Sequence, residues 1–505
     1  MTTMRLRPQG IGLILGLAIT VGTSFGPVLQ ARAQGAAETL RVANPVAIVS
    51  LDPFGAKAAD QPTLTVAQEV LEPLVMRQDG SIVPWLAESW ENPDKLTWTF
   101  HLKSGVRFAD GSPLTSADAK ASLDRLIAEK GPLAGLWAAV DTIEAPDEKT
   151  LKIRTTQPVG TMLSNLTMLG IAPAAKIRDT AFFNAPYGTG PFKVAAFTAG
   201  QQVRLVRNDS YWGEKPKLAQ IEYRYIPEVS GRITALENNE IDFTWGLPPD
   251  QVDQVRGSQG LKVESFPTYS NYYFWFNSSR KPFTDARVRQ AMWHAVDFAQ
   301  IQKDLFPGTA TVAKGPIPQA VFGSSVQKPY AYDVAKAKQL LADAGYANGF
   351  ETTMMWSSQC CTAVREFAET LVSYWAKIGV KVVPQELERA TWLDRLLKLD
   401  WDSTLTDGNT LTGDADFTLA RLYLSTAKRM GYANPKLDEL LLAARAELDQ
   451  GKRAELYAEA GRIIWDEAVG IFPLDMMVHA AYRTNVTGFK PTPNAMPRFD
   501  SVSKK

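Results

Sequence analysis

Between Thr352 and Val383 the spacing of apolar residues changes twice. Thr352–Trp356 is extended, then Val364, Phe367, Ala368, Leu371, Val372, Trp375 and Ile378 recur at helical spacing, and Val380–Val383 is extended again. A strand, a helix and a strand of this length fold as a right-handed βαβ unit. The chain is therefore α/β. In open sheets of this kind, ligands bind beyond the carboxyl ends of the strands. The turn at that end reads WSSQCCTAV from Trp356 to Val364, with Thr362 placed to cap the helix, and it holds the chain's two cysteines, Cys360 and Cys361, side by side.

The rest of the chain mixes both periods. Leu96–Leu102 alternates, with Trp98, Phe100 and Leu102 on one face and Thr97, Thr99 and His101 on the other, as a half-buried strand does. Ser104-Gly105 and Asp110-Gly111 mark turns, and Thr115-Ser116-Ala117-Asp118 opens a helix reaching about Ala128. Val288, Ala291, Met292, Ala295, Val296 and Ala299 predict one helix across residues 285–303, and two more are expected around 435–450 and 452–468. Gly188-Thr189-Gly190-Pro191-Phe192 lacks the Lys-Ser/Thr pair of a phosphate loop and reads as a turn entering a strand.

Adjacent thiols mean different things in reducing and oxidising compartments, so the N-terminus bears on them. Arg5 and Arg7 precede the apolar run Ile11–Val21, and Ala31-Arg32-Ala33 supplies a small-residue cleavage site before Gln34. Residues 1–33 read as a cleavable signal peptide. The run is too short for a membrane span, no later segment is long and apolar enough for one, and no cysteine near the cleavage site offers a lipid anchor. The expected mature protein is exported, soluble and periplasmic. Its 472 residues are too many for one core and call for at least two domains. With 51 basic against 54 acidic side chains, it has no electrostatic pull toward nucleic acid or an anionic membrane. The three histidines, His101, His294 and His479, are widely separated, so no metal site is expected. No Ser/His/Asp, Cys/His or paired-carboxylate set stands at local spacing; no catalytic residue is assigned and no cofactor is called for.

Short segments along the chain carry a family likeness. In order they are Leu51-Asp52-Pro53, Leu71-Glu72-Pro73-Leu74, Pro84–Trp90 (PWLAESW), Leu102–Gly111 (LKSGVRFADG), Gly188–Phe192, Asn239-Glu240-Ile241-Asp242, Val288-Arg289-Gln290-Ala291 and Ala342–Tyr346 (ADAGY). Through their order and spacing the chain resembles the extracytoplasmic solute-binding proteins of ABC transporters, in the peptide, nickel and opine class. The resemblance implies two lobes around a deep cleft, joined by hinge strands, that close over a solute. The first lobe would hold residues 34–265 and 472–505, with a subdomain inserted at about 82–183, and the second would hold 266–471. The protein would be a monomer that delivers its solute to permease subunits in the inner membrane, without chemistry.

The same resemblance places candidate ligand contacts at Trp245, Tyr269, Trp356, Gln359, Cys360, Cys361, Trp401, Asp407, Asn409 and Asp414. Flat side chains stack on sugars, aromatic groups or peptide planes, and about half of the four aromatics are expected to touch ligand. In family members that bind dipeptides, an arginine in the turn after the strand holds the ligand carboxylate, and an aspartate in a later Gly/Asp-rich loop holds its ammonium. Here the next arginine, Arg365, lies inside the helix, so an ordinary dipeptide is not the expected ligand; Asp407 or Asp414 remains for an ammonium. Opine-like and amino-sugar-like solutes stay open beside modified peptides.

The cysteine pair is a departure from the family pattern. Neighbouring Cα atoms lie about 3.8 Å apart, below the usual disulfide range of roughly 4.4–6.8 Å. A Cys360–Cys361 bridge would close almost no loop, so its use must be local: a rigid, polarizable platform facing the cleft. The alternative is two reduced thiols buried as small hydrophobes. A catalytic redox pair is normally spaced C-x-x-C. Two further functions stay open: an exported hydrolase or redox enzyme on a binding scaffold, and a sensor subunit that presents its ligand to a receptor.

Overall fold

The computed structural model describes residues 38–505 apart from Gln359 and Thr362. The expected signal peptide, the Thr362 cap and Gln359 as a ligand contact therefore lie outside the described residues.

One sheet runs through the molecule, and its middle strand explains the architecture. Its strands, in spatial order, are Lys381–Leu387, Glu351–Ser357, Ser403–Asn409, Leu261–Phe276, Leu474–Arg483, Phe243–Trp245, Thr39–Asn44, Gln220–Tyr225, Gln202–Arg207 and Phe192–Thr198. Leu261–Phe276 is 16 residues long, a reach of roughly 50 Å when extended. Its first half pairs antiparallel with Leu474–Arg483, from Leu261 opposite Arg483 to Pro267 opposite Met477. Its second half pairs antiparallel with Ser403–Asn409, from Ser270 opposite Asn409 to Phe276 opposite Ser403. Between Pro267 and Asn271 the register shifts, a bulge at a residue with no amide to donate.

Each half buries its own core. Leu40, Leu71, Phe100, Leu151 and Phe243 gather with Ala480 and Phe499 from the C-terminal tail. Tyr272, Phe274, Trp293, Phe367, Trp375 and Ile464 form the other core. The fold is α/β and two-lobed, with shared strands crossing between the lobes. Within the first lobe a separate antiparallel sheet, ordered Ala87–Asp94, Thr97–Leu102, Thr150–Thr155 and Val140–Glu144, lies alongside the helix Ser116–Ala128. Asp118 Oδ2 accepts from the Thr115 amide at 2.8 Å, as the sequence of that helix start predicts.

The βαβ unit forms as its periodicity requires. Glu351–Ser357 and Lys381–Leu387 pair in parallel, and Val364–Ala376 crosses between them with Val364, Phe367, Ala368, Leu371 and Trp375 buried. Pro384 is tolerated because its strand is the edge of the sheet. The single helix expected across 285–303 is corrected to two, Ala286–His294 and Phe298–Leu305. Asp297 accepts from the Gln300 amide at 3.0 Å and starts the second, a local side-chain bond that outcompetes continuation of the first. The Gly188–Phe192 stretch is structural: a Cβ on Gly188 would stand 2.1 Å from the Val70 carbonyl oxygen, and Phe192 opens a strand. Among the described residues no helix is long and apolar enough to cross a membrane.

Candidate ligand cleft

Three neighbouring strands, Lys381–Leu387, Glu351–Ser357 and Ser403–Asn409, run parallel, so their carboxyl ends arrive together. Arg389, at the start of the helix Arg389–Leu397, follows the first. Cys360 and Cys361 follow the second, and the third ends in Asp407, Gly408 and Asn409. The Ser358 amide donates to the Leu387 carbonyl at 2.9 Å and the Cys360 amide to that of Ser357 at 3.0 Å, which folds the cysteine turn back over the strand ends. Cys360 and Cys361 are joined in a disulfide. Ala363 then adopts a left-handed φ of 54° before the helix begins. Asp407 Oδ1 lies 3.6 Å from Cys360 Sγ. A bridged sulfur has no hydrogen to give, so this contact supplies the carboxylate with no hydrogen bond.

These loops form one wall of a cavity of about 1360 Å³. The first lobe contributes Gln61, Leu136, Thr161 and Asn165; the crossing strands contribute Thr268, Ser270, Met477 and His479. Thr268 and Ser270 belong to the bulge itself. A space of this size suits a solute larger than one amino acid. Asp407 is exposed to the cavity but walled in by protein, and that desolvation pushes its carboxyl up to about 6 against the pull of its own amide and of Arg389. His479 is buried with Nδ1 2.6 Å from Ser265 Oγ, while its Nε2 has no partner among the described residues. Burial, helped by the charge of Arg256, pushes its imidazole down to about 4, so it is neutral at physiological pH.

Cys360, Cys361 and Asp407 offer three atoms within 4.8 Å of one another, the spacing of a metal site. Metal ions take thiolates, and both sulfurs are committed to the bridge. The set fits a platform beside a carboxylate better than a resident ion.

The structure sorts the residues expected from sequence. Cys360, Cys361, Asp407 and Asn409 come together on the cavity wall. Trp245, Tyr269, Trp356 and Trp401 require correction: all four are buried in the apolar cores and none lines the cavity. Large flat side chains gain more from full burial than from an open wall. Asp414 is also corrected. Its carboxylate accepts from Arg453 at 2.9 and 3.1 Å, from Ser164 of the first lobe at 2.8 Å and from the Asp416 amide at 3.1 Å, which leaves it fastening lobe to lobe rather than free for an ammonium. Arg365 is ion-paired with Glu386. Sequence reasoning missed Arg389, Phe417, Arg421 and His479 on the wall. Phe417 and Arg421 sit one turn apart on the helix Ala415–Tyr423, whose start at Asp414 is hidden in a stretch that reads as a polar loop.

The pattern of the bacterial extracellular solute-binding proteins, family 5 Middle, matches residues 81–429. The chain belongs to that family. The solute-binding protein is 30% identical over 482 residues to the glutathione-binding protein of Pectobacterium atrosepticum, covering 90% of this chain and 91% of that one. Among solved structures it resembles the periplasmic binding protein DppA from Helicobacter pylori in complex with the peptide STSA, with TM-score 0.75, 27% identity, and coverage of 92% and 98% of the two chains. It also resembles the binding protein AgaA of A. tumefaciens in complex with agropinic acid, with TM-score 0.75, 28% identity, and coverage of 92% and 99%. It is a binding protein of an extracytoplasmic transport system and not an enzyme, and the hydrolase and redox alternatives fall away.

Proposed function

We propose that this solute-binding protein captures a peptide-like solute in the cavity between its lobes and hands it to the permease of an ABC importer. Asp407 receives the solute's amino group, and the Cys360–Cys361 bridge forms the flat surface beside it. The observation that carries this reading is the open carboxylate of Asp407 at 3.6 Å from the bridge, on the wall of a cavity of about 1360 Å³. Relatives named for glutathione and for a bound tetrapeptide support a short peptide or modified peptide; the relative with agropinic acid keeps an opine-like solute within the same class. The chain is exported through cleavage of residues 1–33, acts as a monomer without nucleic acid, and closes residues 34–265 with 472–505 against 266–471. Isothermal titration with di-, tri- and tetrapeptides, glutathione and agropinic acid tests it. Micromolar binding of at least one, lost in Asp407→Asn, is expected; binding of a nickel–histidine complex alone would sink the reading.

A further inference from the structure

We propose that Arg389 and Arg421 make the cleft selective for a solute that carries two carboxylates beside its single amine. The inference rests on the cavity being the ligand site, and it comes from counting the charges that the wall leaves unanswered. Asp60 is occupied as the cap of the helix Gln61–Ala67, accepting from the amide and hydroxyl of Thr63 at 3.3 and 2.8 Å, with Lys57 at 3.7 Å. Asp416 and Arg445 neutralise each other at 3.0 Å. His479 is neutral. What remains on the wall is one carboxylate, Asp407, and two guanidinium groups.

Neither arginine forms an ion pair among the described residues. Arg421 is nonetheless held in place: its Nε donates to the Phe417 carbonyl at 3.0 Å and its guanidinium lies 4.8 Å from the centre of the Phe417 ring. That leaves the two Nη groups, the fork that grips a carboxylate with two parallel hydrogen bonds, without a partner among the described residues. Burial pushes the Arg421 guanidinium down, and the nearby Arg429 adds to the repulsion, so an anion arriving there relieves a cost already present in the empty cleft. Arg389 stands at the end of the neighbouring strand, close enough to Asp407 to act on its charge. The adjacent acid, Glu388, is turned away to the amide of Ala390 at 2.8 Å. A solute with an amine at Asp407 and carboxylates at Arg389 and Arg421 neutralises the wall; a simple zwitterion leaves one guanidinium unanswered. The arginine absent from the cysteine turn is thus replaced from two other elements.

The test is isothermal titration of the full mature chain with Ala-Ala-Ala, Ala-Glu-Ala, Ala-Lys-Ala and glutathione, using wild type, Arg421→Lys and the double variant Arg389→Gln/Arg421→Gln. Ala-Glu-Ala and glutathione, each with one amine and two carboxylates, should bind roughly 10- to 100-fold more tightly than Ala-Ala-Ala. Ala-Lys-Ala should be the weakest. The double variant should erase the preference while keeping the wild-type melting temperature, since both side chains stand on the cavity wall without an ion-pair partner among the described residues, and Arg421→Lys should keep only part of it. Equal affinity for neutral and acidic peptides in wild type, or a preference that survives the double variant, overturns the inference and leaves the peptide reading intact. Failure of every peptide to bind, whatever its charge, overturns the peptide reading, and this inference with it.

Discussion

Asp407 shows how one carboxylate is tuned by where a strand stops. Its pKa is raised to about 6, so the proton is lost with more difficulty than in the unfolded chain and the group's contribution to stability falls as pH rises from about 4 to about 6. Binding runs the other way, because an ammonium needs the ionised form. Affinity for an amine-bearing peptide should therefore drop by up to about tenfold per pH unit below 6, and Asp407→Asn should show no binding at any pH in that range. Glu72, inside one of the family's signature segments, is tuned differently. Its oxygens accept from Trp85 Nε1 at 2.8 Å, Tyr211 at 2.7 Å, Trp212 Nε1 at 2.8 Å and Thr189 at 2.7 Å. Glu72→Gln turns one acceptor into a donor facing two donors and should cost on the order of 2–4 kcal/mol, read as a lower urea midpoint at unchanged slope. The resemblance pointed to Glu72 as part of a signature, but its purpose was not legible: its four donors come from residues up to 140 positions away.

At the scale of elements, periodicity was readable wherever one face had to be buried. The strand and helix from Glu351 to Ala376 follow their apolar spacing closely. The same reasoning joined residues 285–303 into one helix because Ala295 and Val296 fit the stripe; both are buried, yet the cap at Asp297 restarts the chain. Asp297→Ala should cost about 1 kcal/mol in thermal or urea unfolding, and an unchanged midpoint would show the break to be set by packing instead. At the cysteine turn the left-handed Ala363 carries a backbone penalty that glycine lacks. Ala363→Gly should raise stability by up to about 1 kcal/mol, an effect visible as a higher melting temperature with the disulfide intact. The aromatics misled for a general reason: a tryptophan beside a cleft and a tryptophan beneath it have the same sequence neighbours, and only the three-dimensional packing separates them.

For the whole molecule, the described arrangement has the lobes touching beyond the cavity. Arg77 Nη2 donates to Ser164 Oγ at 3.0 Å and across the gap to the Thr412 carbonyl at 3.1 Å, and the Gly160 amide reaches the Arg445 carbonyl at 2.8 Å. A Cβ at Gly160 would stand 1.8 Å from the Glu447 carbonyl oxygen, a backbone clash that parting the lobes would relieve. Gly160→Ala should therefore wedge the cleft, weakening ligand affinity by on the order of tenfold or more while leaving the melting temperature of the empty protein nearly unchanged. Small-angle scattering should find it more expanded than wild type in the presence of ligand. The path of the sheet also sets an order of events during synthesis. Leu474–Arg483 lies between Leu261–Phe276 and Phe243–Trp245, in the interior of the first lobe's sheet, yet it is among the last segments to be made. Until those residues emerge, the sheet begun by Thr39–Asn44 lacks an interior strand, so the first lobe cannot complete its core until synthesis is nearly finished.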